Sequence, residues 1–309
     1  MSTDVSPEPS LFAWRRPAAG LSLLLLAVAV LSLAALGLPL GLDFTGGSVI
    51  ELRFPQTLSA GLLRDHLAQA DFATVTVQAL GGGHDYLFRL PAALAGTGPV
   101  TVPAEAVVTH LRGIIPDLQV LRLDALGPQM GAELAQRGAL AFGLVLVGVF
   151  LYVGFRFEHR FAVGAVAALL FDVAITLGGM ALFRIPLDLT TLAALLAVIG
   201  YSLNDSIVIF DRVREELRSR RRQSAERCLS VAVQATLSRT LITSGTTMVV
   251  VLALLIFGGD ALRGFAAVLL IGLISGTWSS IFVATGLLLR LGLLPEDMLL
   301  PDAGLEDAD

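Results

Sequence analysis

The sequence predicts an α-helical membrane protein with six transmembrane helices and a small α+β domain between the first two. Hydrophobic residues make up 55% of the 309-residue chain and charged residues only 15%, whereas soluble domains usually carry about 25% charged residues. Six apolar runs approach or exceed the ~20 residues that cross a bilayer as a helix. One polar stretch of roughly ninety residues separates the first run from the other five, which is enough chain for a small domain.

The apolar runs are the candidate spans. In chain order they are Pro17–Leu40, Gly138–Phe155, Phe161–Phe183, Leu189–Phe210, Leu241–Gly258 and Gly264–Leu289. Arg15 and Arg16 precede the first run, as basic residues do in a secretory signal. This run is longer than the roughly 7–15 apolar residues of a signal peptide, so we expect a retained helix.

The arginines predict the orientation of the chain, because segments rich in basic residues stay in the cytoplasm. All 21 basic residues are arginines. The short segments on one side hold only Arg184 and Arg263, whereas the side that holds both termini has Arg15, Arg16, Arg156, Arg160, Arg212, Arg214, Arg218, Arg220, Arg221, Arg222, Arg227, Arg239 and Arg290. We therefore expect a multi-pass protein of the inner (cytoplasmic) membrane with both termini in the cytoplasm.

The polar stretch alternates between strand and helix patterns. Period-2 alternation and β-branched residues predict strands at Ser48–Phe54, Ala73–Leu80, Tyr86–Leu90 and Leu118–Asp124. Helical spacing predicts helices at Thr57–Ala70, with Thr57 as the cap, and at Val102–Ile115. GGGHD provides a turn before the third strand. This β-α-β-β-α-β order is that of a ferredoxin-like split βαβ unit.

These patterns divide the chain into segments with distinct locations. We predict a cytoplasmic N-terminal tail at 1–16, a first transmembrane helix at 17–41, an extracytoplasmic domain at 42–136, a five-helix bundle at 137–291 with a basic cytoplasmic loop at 211–238, and an acidic cytoplasmic tail at 292–309. The charged run Arg212–Arg227 is either a solvated helix or a surface that contacts anionic headgroups or an acidic partner.

Motifs of soluble enzymes are absent from the sequence. It contains no GxxxxGK[ST], HExxH or GxSxG, which argues against nucleotide hydrolysis and against zinc- or serine-dependent hydrolysis. The polar stretch holds no cluster of metal-ligating residues. The net charge of −5 gives no basis for nucleic-acid binding. We expect no catalytic residue, metal or cofactor, and hence a protein that is not an enzyme.

Asp205 is the strongest candidate functional residue, because it is an ionisable side chain within the apolar run Leu189–Phe210. A charged group at a helix centre costs roughly 2.5–3.5 kcal/mol on membrane-insertion scales, so it persists only where it is solvated, paired or used. Ser202 and Asn204 add polar groups beside it. Asp172, in the third run, is a second candidate of the same kind.

The fifth run carries polar residues at helical spacing, namely Arg239, Thr243 and either Thr246 or Thr247. The fourth and fifth spans are antiparallel, so Arg239 and Asp205 would lie at similar depth and form a pair. Release of the arginine would then allow Asp205 to take up a proton. The structural alternative is a static interhelical pair in which the hydroxyl groups are packing contacts.

Three segments resemble the SecF branch of the SecD–SecF protein-export family in the RND transporter superfamily. They are FTGG at 44–47, DLTTLAALLAVIGYSLNDSIVIFDRVRE at 188–215 and RTLITSGTT at 239–247. The resemblance implies an RND-type half bundle and a proton-motive-force-driven accessory subunit of the Sec translocon. It implies that Asp205 and Arg239 match the proton-relay residues of the family. Phe171 departs from relatives that often have His there, which puts a relay role for Asp172 in doubt.

The resemblance also implies partners, namely a SecD-like subunit in a heterodimer, a SecY-type translocon channel, an unfolded preprotein and protons. Two other functions stay open: an RND-type proton-coupled transporter of a small molecule or lipid, and a passive scaffold of the translocon.

Gly46 and Gly47 follow the first span. Because glycine can adopt positive φ or allow close backbone approach, we predict a hinge or tight-packing site where the extracytoplasmic domain joins the bundle.

Overall fold

The computed structural model describes residues 14–70, 72–80, 83–95, 101–157, 159–220 and 223–292. Most of the predicted N-terminal tail, part of the predicted GGGHD turn and all but the first residue of the predicted acidic tail lie outside these residues. The chain folds as two compact units. One contains Leu40–Ala141 together with Pro186–Leu189, and the remaining chain forms the other.

The smaller unit contains a four-stranded sheet with two longer helices. After the first helix of the chain, α1 (Arg15–Leu36), the elements are α2 (Leu42–Thr45), β1 (Gly47–Arg53), α3 (Ala60–Gln69), β2 (Thr76–Ala79), β3 (Asp85–Pro91), α4 (Thr101–Ile114) and β4 (Gln119–Leu126). The sheet order is β2-β3-β1-β4, and every neighbouring pair is antiparallel. The predicted β-α-β-β-α-β order is confirmed, and the short helix α2 is an addition to it.

The core of this unit follows from alternation along its strands. Ile50 and Leu52 on β1 and Phe88 on β3 are fully buried, because every second side chain of a strand points to the same face. The predicted cap of α3 at Thr57 is wrong by two residues. Ser59 is the cap, since its Oγ accepts a hydrogen bond from the backbone N–H of Gly61 at 3.2 Å.

The larger unit is built from long apolar helices. Six helices in the described part of the chain are long and apolar enough to cross a membrane, which confirms the predicted number. Besides α1 they are α5 (Pro128–Arg156), α6 (His159–Leu182), α7 (Leu189–Ser219), α8 (Ala225–Phe257) and a last span made of α9 (Gly259–Trp278), a wide π turn (Ser279–Ala284) and α10 (Thr285–Arg290).

Small residues and aromatic rings hold this bundle together. Gly178 on α6 lies so close to Ala29 on α1 that a Cβ at 178 would overlap it, a contact typical of helices that pack through small residues in membranes. The rings of Phe161 on α6 and Phe210 on α7 meet edge to face, with their centroids 5.3 Å apart. Both rings are almost fully buried.

The helices extend well beyond the apolar runs that predicted them. The expected basic loop at 211–238 is mostly helical, because α7 continues to Ser219 and α8 begins at Ala225, leaving only a short connection. The extension is stabilised by an apolar face within the charged sequence, formed by the buried side chains of Val213, Leu217, Leu229 and Val233. Hydropathy alone predicts that α7 ends at Phe210, but packing of this apolar face stabilises the helix as far as Ser219.

Candidate functional site

Asp205 lies where α8 and α9 approach α7. The residue is buried, with 5% of its surface exposed. Ser244 on α8 donates a hydrogen bond from Oγ to Asp205 Oδ2 at 3.2 Å. Thr277 on α9 has its Oγ1 2.9 Å from Ser244 Oγ and 2.8 Å from the carbonyl oxygen of Leu273, and its single proton serves one of them at a time. A chain of hydroxyl groups therefore connects the carboxylate to both neighbouring helices.

Arg239 does not pair with Asp205 in this structure. Its side chain is exposed, and among the described residues no ion pair within 4.0 Å joins the two. The reason is the phase of α8. Ser244 follows Arg239 by five residues, which turns it about 140° around the helix axis, and Ser244 is the residue that faces Asp205. The relay role of Asp205 and Arg239 stays a prediction.

The predicted hydroxyl stripe of α8 divides between two directions. Thr247 faces α7, where its Oγ1 lies 2.9 Å from the Tyr201 hydroxyl. Thr246 is exposed, and its Oγ1 lies 2.9 Å from the carbonyl oxygen of Ile242 on its own helix. Thr243 is half-buried between them. Only Thr247 of these three links the two helices through its side chain.

Asp172 is the more enclosed of the two carboxylates, with 1% of its surface exposed. Three serine hydroxyls donate to it: Ser202 on α7 at 2.5 Å, Ser275 on α9 at 2.5 Å, and Ser279 in the π turn at 2.7 Å. Asp172 is thus the point where three spans are joined by hydrogen bonds. The predicted residue Ser202 belongs to this cluster, whereas Asn204 is exposed.

Glycines on α9 allow these helices to approach each other at the level of both carboxylates. A Cβ at Gly272 would overlap the side chain of Val198 on α7, and one at Gly276 would lie 3.3 Å from the Cβ of Ser202. The crevice that Asp205 lines is too narrow to admit a water molecule. Asp205 is therefore closed to solvent on this side.

The sequence interpretation missed four hydroxyl residues of these clusters: Ser244, Ser275, Thr277 and Ser279. A signal was present in the last span, where ISGTWSS at 274–280 interrupts an apolar run with four hydroxyl groups. Such groups commonly bond the backbone of their own helix, so their presence alone does not identify a partner.

The FTGG segment has two positions that require glycine. Gly46 has φ 66° and Gly47 has φ 127°. A Cβ at Gly47 would overlap the carbonyl oxygen of Leu90, and a Cβ at Gly131 would lie 3.0 Å from the backbone nitrogen of Gly46. Asp43, just before them, accepts a hydrogen bond at 2.8 Å from the first backbone N–H of α7. The segment is tightly packed here, and its role as a hinge or packing site stays a prediction.

The fold and the two buried carboxylates define the class of this protein as a multi-pass membrane transport protein, since ionisable groups inside spans mark transport pathways. Residues 106–293 match the family model described as protein export membrane protein SecD/SecF, C-terminal, and residues 31–57 match that of the SecD/SecF GG motif. The chain belongs to the SecD/SecF family, in its branch of SecF protein translocase subunits.

Several relatives are similar along almost the whole chain. The SecF subunit of Escherichia coli O157:H7 is 45% identical over 96% of this chain and 92% of its own length, and that of Pseudomonas aeruginosa is 42% identical over 94% and 93%. The crystal structure of SecDF from Thermus thermophilus matches with a TM-score of 0.83 and 32% identity. That match covers 94% of this chain but 40% of the SecDF chain, so this chain spans two fifths of it. The family function is Sec-associated protein export.

Proposed function

We propose that this protein is a proton-motive-force-driven accessory subunit of the Sec translocon that assists preprotein export across the cytoplasmic membrane, with proton relay through Asp205 and Arg239. The observation that carries the proposal is the state of Asp205. It is a buried carboxylate inside a span, with no ion pair in the described part of the chain. It accepts a hydrogen bond from Ser244 on α8, and Ser244 in turn contacts Thr277 on α9. Ionisable groups in such places are functional by default.

Proton uptake at Asp205 changes the balance of forces between the helices. One charge that crosses the full membrane potential gains roughly 2.3 kcal/mol per 100 mV, which biases a conformational equilibrium of a few kcal/mol. The ionised carboxylate only accepts hydrogen bonds, whereas the protonated one also donates. Arg239 is exposed on α8, the helix beside Asp205. When Arg239 moves away from Asp205, the carboxylate takes up a proton, and when Arg239 returns, the proton leaves.

A SecD-like subunit is the proposed partner, and its supporting observation is the outer face of α8. Arg239 and Thr246 are exposed there, although polar groups facing lipid are costly. A second bundle related by pseudo-two-fold symmetry would cover them. The similar solved structures are of SecDF, whose name joins SecD with SecF. The SecY-type channel, the unfolded preprotein and the cytoplasmic location of both termini belong to the same proposal.

The test is proton-gradient-dependent completion of preprotein translocation in vesicles. Asp205→Asn keeps the shape of the side chain but cannot change protonation, so we expect it to abolish the proton-dependent step while the complex still assembles. Asp205→Glu preserves a titratable group and should keep part of the activity. Arg239→Lys should be impaired, because an ammonium lacks the planar fork that matches a carboxylate.

A matched control is Glu226→Gln, which removes an exposed carboxylate at the start of the neighbouring helix α8 and should leave translocation near the wild-type rate. If Asp205→Asn completes translocation as fast as wild type, the relay is wrong and the passive-scaffold alternative gains support. Recovery of a stable and active lone chain in mild detergent would contradict the proposed partner.

A further inference from the structure

The charged part of α7 has two faces with different roles. On one face, Arg212 Nη2 lies 2.7 Å from Glu216 Oε1 and Arg220 Nε lies 2.6 Å from Glu216 Oε2. The Glu216 side chain is only 5% exposed, so these pairs are part of the packed structure. On the other face are Arg214 and Arg218, which form no ion pair among the described residues. They are four residues apart and therefore project to the same side.

Arg214 and Arg218 line an open, solvent-facing cavity of about 570 Å³ at the end of the bundle. Its other lining residues are Arg156, at the end of α5, and Asp211, Glu215 and Ser219 on α7. The volume lies within the range of roughly 300–1,000 Å³ that is typical of small-ligand sites. A glycerophosphate group is well below this size, so the cavity has room for it.

The side chains that line this cavity carry a net positive charge. Glu215 is already bound by Arg212, at 2.7 Å between Oε2 and Nη1. Asp211 Oδ1 is 3.6 Å from Arg156 Nη2, and both side chains are about half exposed, so this pair is weak and easily rearranged. The guanidinium groups of Arg214 and Arg218 remain for an incoming anion. A guanidinium binds a phosphate through two parallel hydrogen bonds.

An exposed apolar surface continues from the cavity along α5. Tyr152 precedes Arg156 by four residues, so it lies on the same face of the helix, and it is 54% exposed. Phe155 is 97% exposed, and only 6% of the most apolar part of α5 is buried within the chain. A basic cavity at the end of a span beside uncovered apolar surface fits an amphiphile with an anionic head.

We propose that this cavity binds the phosphate headgroup of an anionic phospholipid such as phosphatidylglycerol, with its acyl chains along α5. Arg214 and Arg218 hold the phosphate, and Arg156 moves from Asp211 toward it. Arg212 and Arg220 take no direct part, because Glu216 occupies them. The proposal concerns a lipid site and is independent of the proton relay.

The test measures lipid affinity directly. The full chain, in the complex in which it purifies, is titrated with phosphatidylglycerol in detergent and bound lipid is counted by native mass spectrometry. Each basic residue near a membrane surface contributes about 1 kcal/mol to anionic-lipid binding, so Arg214→Gln with Arg218→Gln should weaken the tightest site about twenty- to thirty-fold. The matched control, Arg227→Gln with Arg290→Gln, removes the same charge outside the cavity and should change it less than three-fold.

Two comparisons separate this site from other anion binding. Phosphatidylcholine should not compete for the site, and glycerol phosphate, which has the head but no acyl chains, should compete only at far higher concentration than phosphatidylglycerol. Equal losses in the two double variants would mean general surface attraction, and no loss in the cavity variant would mean that the lipid binds elsewhere. Equal competition by glycerol phosphate would identify a soluble anion site. Each of these three results overturns the proposal.

Discussion

Replacement of Gly272 by alanine tests the close approach of α9 to α7. The added Cβ would overlap Val198 Cγ2 and would lie 2.5 Å from Cγ1 and 2.8 Å from Cβ of the same residue. Carbon atoms in contact are normally about 3.5–4.0 Å apart, so the two helices would have to separate by more than about 1 Å at this level. Both carboxylate clusters lie close to this point, so separation of the helices would also lengthen the hydroxyl contacts within the clusters.

The expected change in stability for Gly272→Ala is the sum of two opposing effects. Alanine stabilises a helix interior by roughly 0.5–1 kcal/mol relative to glycine, whereas overpacking in a well-packed interior costs typically 1–3 kcal/mol. We therefore expect Gly272→Ala to lower the stability by about 1–2 kcal/mol. Gly200→Ala on α7 is the matched control, because nothing lies within 4 Å of a Cβ built there. The control should be neutral or more stable.

The assay is the apparent unfolding midpoint of the purified protein in one detergent, followed by tryptophan fluorescence, with Val198→Ala and the double variant included. Shortening Val198 removes the two nearest atoms, so the double variant should be less destabilised than the sum of the single variants by about 1 kcal/mol. The reasoning is refuted if Gly272→Ala and Gly200→Ala unfold at the same midpoint, or if the two single effects simply add.

Three further predictions concern other parts of the chain. Asp172→Asn replaces one acceptor oxygen by an amide donor, so at least one of the three serine contacts is lost, and gradient-dependent translocation should fall while the subunits still co-purify. Gly47→Val meets the carbonyl oxygen of Leu90 at a positive φ and should impair export and increase amide hydrogen exchange in β1 and β3. Arg53 bonds both oxygens of Asp85 and holds the pKa of that carboxyl below its usual value. This stabilisation is present above the unfolded pKa of about 3.9 and lost as pH falls through the lower folded value. The midpoint difference between wild type and Asp85→Asn should therefore shrink below about pH 4.

The number of spans and the order of the sheet elements could be predicted because a bilayer and a half-buried sheet each impose a simple pattern. Helix ends could not. α8 begins at Ala225, within polar sequence, because Leu229 and Val233 pack in the core beside Phe210. That packing depends on a partner helix which hydropathy does not identify. The cap of α3 failed for a similar reason, since Thr57 and Ser59 are both acceptable caps and the backbone selects the second.

Within the site, burial of Asp205 followed from its apolar surroundings, but its contacts did not. The choice between Arg239 and Ser244 as its neighbour depends on how far α8 is rotated about its axis, and both residues lie on a polar part of that helix. For Asp172, two of the three serine donors come from the last span, more than a hundred residues away along the chain. No local pattern encodes that distance.

The π turn in the last span has a consequence for insertions and deletions. A π turn holds one more residue than an α turn, and here it contributes Ser279 to the Asp172 cluster. Deletion of one residue from the regular helical turn just before Ser279, with the π turn kept, would rotate everything after it by about 100°. The buried side chains of Thr285 and Leu288 on α10 would then turn away from the bundle. The exact residue count of this span is therefore constrained by the serine contacts to Asp172 on one side and by the packing of α10 on the other.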